Sequence, residues 1–130
     1  IAFPGGSMDD EDANLEMTAL REAKEEIGVL SDDILMLGQL SPLYVAVSNF
    51  MVFPFIGYLS YVPEFQAQES EVAEILEIEI SDLQNKANLK KKDMDLRQGF
   101  HLKDVPYFDI QQKTVWGATA MMLNEWLDIL

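Results

Sequence analysis

The stretch Arg21-Glu22-Ala23-Lys24-Glu25-Glu26-Ile27-Gly28-Val29 constrains this chain more than any other. At about 100° per residue, Glu22, Glu25 and Glu26 share one helix face roughly 100° wide, with Thr18 among them. Ala13, Met17, Leu20, Ala23 and Ile27 fall on the opposite side, the expected core face. The pattern predicts a helix from Asn14 to Ile27 with Gly28 as its stop. Like charges on adjacent turns repel by roughly 0.2–0.5 kcal/mol per pair. Those near the helix C-terminus also meet the unfavourable end of the macrodipole. Selection for stability alone would alternate the signs. A hard divalent cation takes several oxygen ligands, and one bound here would neutralise the cluster. The alternative is a solvated face in which Arg21 pairs with Glu25, and spacing alone leaves both open. Gly5-Gly6, just upstream, would let backbone approach a ligand or metal closely, or form an ordinary turn.

Composition removes several other chemistries. Nine Lys and Arg stand against 23 Asp and Glu, a formal net charge of −14, which disfavours nucleic-acid binding. With no cysteine there is no disulfide, thiolate metal site or cysteine nucleophile, and a single histidine, His101, excludes a His-rich site. The apolar run near Phe50–Val62 is interrupted by Pro54 and is too short to span a bilayer. No signal-peptide pattern is present, and these absences are consistent with a cytoplasmic protein without a membrane partner. At 130 residues, one domain spanning 1–130 is expected.

Along the chain, Ile1–Phe3 is expected to be the end of a strand, with further N-terminal strands encoded upstream. Strands are expected at Ile34–Leu40, at Phe50–Tyr61 with a bulge or edge position at Pro54, and at Val72–Ile80, which alternates. Asp93–Leu102 and Pro106–Ile110 are weaker strand candidates. Ser81–Gln84 begins a turn or short helix. Thr114–Leu130 reads as a helix whose apolar face is Val115, Trp116, Met122, Leu123, Trp126, Leu127 and Leu130. Together these predict an α/β fold, a mixed sheet with helices packed on it. A second acidic stretch, residues 64–82, holds seven acids and no base. In it Glu74 would intrude on an apolar strand face, which is costly for a carboxylate unless it is paired or metal-bound, or unless solvent reaches it. His101 is a candidate base or a surface histidine. Lys90, Lys91 and Lys92 are candidate phosphate contacts or a solvated turn. Phe3, Tyr44 and Phe50 are candidate stacking residues or core.

These residues resemble the Nudix hydrolase family, whose signature is Gly, five residues, Glu, seven residues, then Arg-Glu-aliphatic-any-Glu-Glu-any-Gly-aliphatic. Arg21 to Val29 match the second half at every specified position. In the first half, Gly6 is followed after five residues by Asp12 in place of Glu, and eight residues rather than seven separate Asp12 from Arg21. Ala2-Phe3-Pro4-Gly5-Gly6, Asp9, Asp12 and Thr18-Ala19-Leu20-Arg21-Glu22 look like the coenzyme A diphosphatase branch. Pro42-Leu43-Tyr44, Ser48-Asn49-Phe50, Val105-Pro106-Tyr107-Phe108 and Val115-Trp116-Gly117-Ala118-Thr119 look like it as well.

The resemblance implies an α/β/α sandwich around a mixed sheet, with the N-terminal part of the domain lying upstream of this chain. It implies hydrolysis of a diphosphate with Mg²⁺ or Mn²⁺ as cofactor, coenzyme A being cleaved to 4′-phosphopantetheine and 3′,5′-ADP. Glu22, Glu25 and Glu26 become the metal carboxylates, with Gly6 completing the shell through its carbonyl. Arg21, Asp12 and Gly5 become structural at the site. Glu22, or Glu71 or Glu74 from the second acidic stretch, becomes the general base. The partner is a small-molecule diphosphate, and a homodimer is compatible with the reading. A Nudix enzyme for another nucleotide, or a non-catalytic Nudix-like binding module, are the rival readings.

Overall fold

The computed structural model describes residues 1–130, the side chain of Gln98 excepted. It comprises two compact units, Ala2–Leu76 and Glu77–Leu130 with Ile1.

In the first unit, a loop over residues 2–14 leads into helix α1 (Leu15–Ile27). The Asn14 side chain caps the helix by accepting from the Met17 N–H at 2.9 Å. Gly28 ends it with φ +76°, and the Gly28 N–H reaches back to the Lys24 carbonyl. Strand β1 (Leu35–Gln39) pairs antiparallel with β4 (Phe55–Tyr58), and β2 (Leu43–Val45) pairs with β3 (Phe50–Val52). The expected Phe50–Tyr61 strand is therefore two strands. Pro54 sits between them, and its carbonyl accepts from the Leu40 N–H at 2.9 Å.

In the second unit, β5 (Leu89–Asp95), β6 (His101–Ile110) and β7 (Lys113–Trp116) form an antiparallel sheet backed by α3 (Gly117–Ile129). A short helix, α2 (Ile80–Gln84), precedes them. Phe108, Ile110, Val115, Leu83 and Leu123 make the core, with Ile78, Trp126 and Leu127 packed against it. Pro106 sits inside β6, yet no residue of β7 lies opposite it, since β7 reaches only Tyr107–Ile110.

The α/β class holds. The strand pairs among the described residues are all antiparallel and fall in three separate sheets. Several expected elements are corrected. Ile1–Phe3 forms no ladder; the Ile1 carbonyl accepts instead from the Thr119 hydroxyl. Val72–Ile80 is not a strand. The Glu71 and Val72 N–H groups both turn back to the Gln68 carbonyl, and the Glu77 carbonyl accepts from a Gln111 side chain. Backbone groups so engaged form no ladder. Glu74 is consequently exposed and does not intrude on a buried face. Asp93–Leu102 is not one strand either, because a turn at Arg97–Gly99, closed by Leu96 N–H to Phe100 carbonyl, folds β5 onto β6. Lys90, Lys91 and Lys92 belong to β5 rather than to a turn. The last helix begins at Gly117, not Thr114. Gln111 and Gln112 both take positive φ in a two-residue hairpin, which draws Thr114–Trp116 into β7.

Candidate active site

The candidate site lies within the first unit, where residues 5–12 fold against the charged side of α1. Arg21 is its hub. Its guanidinium reaches Asp12 at 3.0 Å, Glu25 at 3.1 Å, Glu22 at 3.2 Å and Asp9 at 3.3 Å, and donates to the Ser7 carbonyl at 3.1 Å. An Asp12–Arg21 ion pair forms despite the shorter side chain and the extra loop residue. Asp9 adds a second loop carboxylate that the motif does not specify. Asp12 is the most enclosed of the four, its side chain 6% exposed, whereas Glu25 is half exposed. Hydrogen bonds from Arg21 and then from the Asp9 N–H hold the Asp12 carboxyl down to about 2.

Glu22 and Glu26 face the glycine pair. The Gly5 N–H donates to Glu26 Oε2 at 3.2 Å. At Gly6 a Cβ would collide with the Glu22 carboxylate, so only glycine lets the backbone lie this close. Partial burial pushes the Glu26 carboxyl above its ordinary value, and the charges of Glu22 and Glu71 push it the same way against the Gly5 N–H. Glu71 comes near because Gln66 and Gln68 donate backbone N–H groups to the Ile27 and Glu26 carbonyls at 3.0 and 2.9 Å. These bonds satisfy the C-terminal end of α1 and strap the second acidic stretch to it. Glu71 of that stretch acts on Glu26 through its charge, and Glu71 and Glu74 are both exposed.

The burial of α1 departs from expectation. Its one buried residue is Thr18, on the charged side, while Met17 on the expected core face is 44% exposed. The loop covers the charged side because Arg21 and the carboxylates draw it there. Three of the remaining candidates have partners of their own in the second unit. His101 pairs through its ring with Asp95, Lys90 with Asp109 at 2.6 Å, and Lys92 with Thr114 and the Tyr107 ring. Phe3, Tyr44 and Phe50 are about half exposed.

Could this arrangement hold a cation? Among the described residues no three acidic or histidine side chains converge on one point as they stand. Arg21 draws oxygens of Glu22 and Glu25 to itself. The donors are nonetheless of the kind a hard cation takes: carboxylate oxygens of Glu22 and Glu26 beside the backbone of a glycine pair.

The NUDIX domain model matches residues 1–99. The chain belongs to the Nudix family. Enzymes of this family generally use divalent metal ions. Among curated proteins, it is 34% identical over 125 residues to an uncharacterized Nudix hydrolase NudL of Pectobacterium atrosepticum, covering 96% of this chain and 64% of that protein. The NudL of Photorhabdus laumondii is 33% identical, with 96% and 65% covered. That of an Escherichia coli strain is 30% identical, with 96% and 64% covered. The chain thus spans a little under two thirds of these relatives. No helix among the described residues is long and apolar enough to cross a membrane.

Proposed function

We propose that this Nudix protein hydrolyses the diphosphate of a nucleoside diphosphate-linked small molecule with Mg²⁺ or Mn²⁺, coenzyme A or an acyl-coenzyme A being the favoured substrate. The observation that carries the reading is the pair Glu22 and Glu26 set against the Gly5-Gly6 backbone, with Glu26 held above its ordinary proton affinity. A carboxylate cluster at this position opposes an anionic substrate unless a cation intervenes. A bound Mg²⁺ or Mn²⁺ would supply charge neutralisation of the diphosphate and a more acidic water. Glu22 and Glu26 would hold it, with Glu25 and the Gly6 carbonyl as further ligands. Arg21, fixed by Asp12 and Asp9, would orient Glu22 and Glu25. A carboxylate would accept the proton of the attacking water as the P–O bond of the diphosphate breaks. Glu22 and the second acidic stretch supply the candidates, Glu71 by its closeness to Glu26 and Glu74 by its place on the same segment. Coenzyme A is favoured by the resemblance of Ala2–Gly6 and of the altered Asp9–Asp12 loop to the coenzyme A diphosphatase branch. Its products would be 4′-phosphopantetheine and 3′,5′-ADP.

The test is incubation of the full-length gene product with coenzyme A, ADP-ribose or a diadenosine polyphosphate, each with Mg²⁺ or Mn²⁺, and identification of products by mass. Release of 4′-phosphopantetheine, lost in Glu26→Gln, is the expected result. Turnover of another diphosphate alone would keep the site and discard the coenzyme A assignment. Neither turnover nor metal binding would leave a non-catalytic binding module.

A further inference from the structure

We infer that Thr18 is a positioning residue for the Glu22 carboxylate, acting through Asp12 and Arg21. This rests on the metal-site reading above and deepens it. Thr18 is 3% exposed, the one buried residue of α1, and it lies on the charged side of that helix. Its Oγ1 stands 3.0 Å from Asp12 Oδ2 and 3.3 Å from the Asn14 carbonyl. A hydroxyl has one proton, and the nearer acceptor is an ionised carboxylate, which makes the stronger bond. Asp12 in turn takes the Arg21 Nε and Nη2 groups at 3.0 Å, and the opposite edge of the same guanidinium donates from Nη1 to Glu22 Oε1 at 3.2 Å. The path runs without a gap from a buried hydroxyl to the carboxylate that meets Gly6.

The need for such a device follows from the loop. Asp12 stands where the signature has the longer Glu, and one extra residue separates it from Arg21. A shorter arm on a longer loop has more freedom to swing. The Asp9 N–H, at 3.0 Å from Asp12 Oδ2, fixes it from the loop side. Thr18 fixes it from the helix side, on the more rigid of the two elements. A guanidinium shared among four carboxylates has no single preferred partner unless one is anchored, and Thr18 anchors Asp12. Glu22 is left with the other edge of the fork.

The experiment measures Mn²⁺ affinity by electron paramagnetic resonance on the folded full-length protein, with thermal unfolding recorded in parallel. Thr18→Val keeps the shape and removes the hydroxyl; Thr18→Ser restores it; Thr18→Ala, a strong helix former, stands in should the valine fail to fold. The expected result is a loss of about 10-fold in Mn²⁺ affinity for Val or Ala, the lower end of what outer-shell partners contribute, and recovery to within about 3-fold in Ser. A purely structural Thr18 would lower the unfolding temperature and leave Mn²⁺ affinity of the folded protein unchanged, which would overturn the inference. Equal loss in Ser and Val would overturn it as well. Wild-type protein that binds no Mn²⁺ would instead bring down the metal-site reading, and this inference with it.

Discussion

Glu26, which accepts from the Gly5 N–H, and Asp12, which pairs with Arg21, are shifted in opposite directions, and their variants should separate function from stability. Glu26 carries a proton affinity raised by burial and by Glu22 and Glu71. Its ionised form is therefore a burden on the folded state at neutral pH. Glu26→Gln keeps an oxygen for the Gly5 N–H and removes the charge, so it should abolish metal-dependent turnover by about 100-fold or more. It should also leave the unfolding midpoint equal to or above wild type, as urea titration at pH 7 would show. Asp12 is the reverse case. Its folded value of about 2 lies below the ordinary 3.8. Its contribution is present in full above the ordinary value and lost as the pH falls through the folded one. Asp12→Asn should be less stable than wild type at pH 6, and the gap should close between about pH 4 and 2. A gap that stays constant through that window would show the ion pair with Arg21 is not its source. Within this site the motif residues were legible because helical periodicity puts them on one face. Asp9 and Glu71 were legible only through the family resemblance, Glu71 as one of three candidate bases, because each reaches the cluster through loop geometry that no local spacing encodes.

At the scale of elements, the end of α1 is where local and long-range requirements meet. Gly28 takes φ +76°, and a Cβ there would stand 3.1 Å from Gln66 Cβ, against the strap that brings Glu71 in. Gly28→Ala should destabilise the first unit by roughly 1–2 kcal/mol, the cost of a left-handed non-glycine residue. It should also weaken metal-dependent activity beyond what lost folding explains, because the strap shifts with it; hydrogen exchange at the Gln66 and Gln68 amides would report that shift directly. Helix α1 was readable from Asn14 to Gly28 because cap, stop and apolar period all lie within the segment. The strands were less readable. Val72–Ile80 alternates apolar and acidic residues yet joins no strand ladder, and Thr114–Trp116 continues a helical pattern yet is claimed by a hairpin. Alternation records what a strand would need, whereas pairing depends on which other segment offers its edge.

For the whole molecule, the formal net charge of −14 sets how stability answers to cations. Self-repulsion of this size is relieved partly by any salt, through screening with a length of about 8–10 Å at 0.10–0.15 M. A site-bound divalent ion acts differently, because it binds the folded state and not the unfolded chain. At a hundred times its dissociation constant such an ion adds about 2.7 kcal/mol, a rise in Tm on the order of 10 °C for a chain of this length. Mn²⁺ should therefore raise Tm well beyond NaCl at matched ionic strength, and the excess should vanish in Glu26→Gln while the screening part remains. Gly6→Ala tests the same point from the backbone side. Its Cβ meets the far end of a flexible side chain, so the fold should persist at a cost of under about 1 kcal/mol. The displaced Glu22 should nevertheless remove most of the Mn²⁺-specific rise. Should Mn²⁺ and NaCl shift Tm equally in wild type, the carboxylate face of α1 is a solvated surface held together by Arg21, and the second reading of that helix prevails.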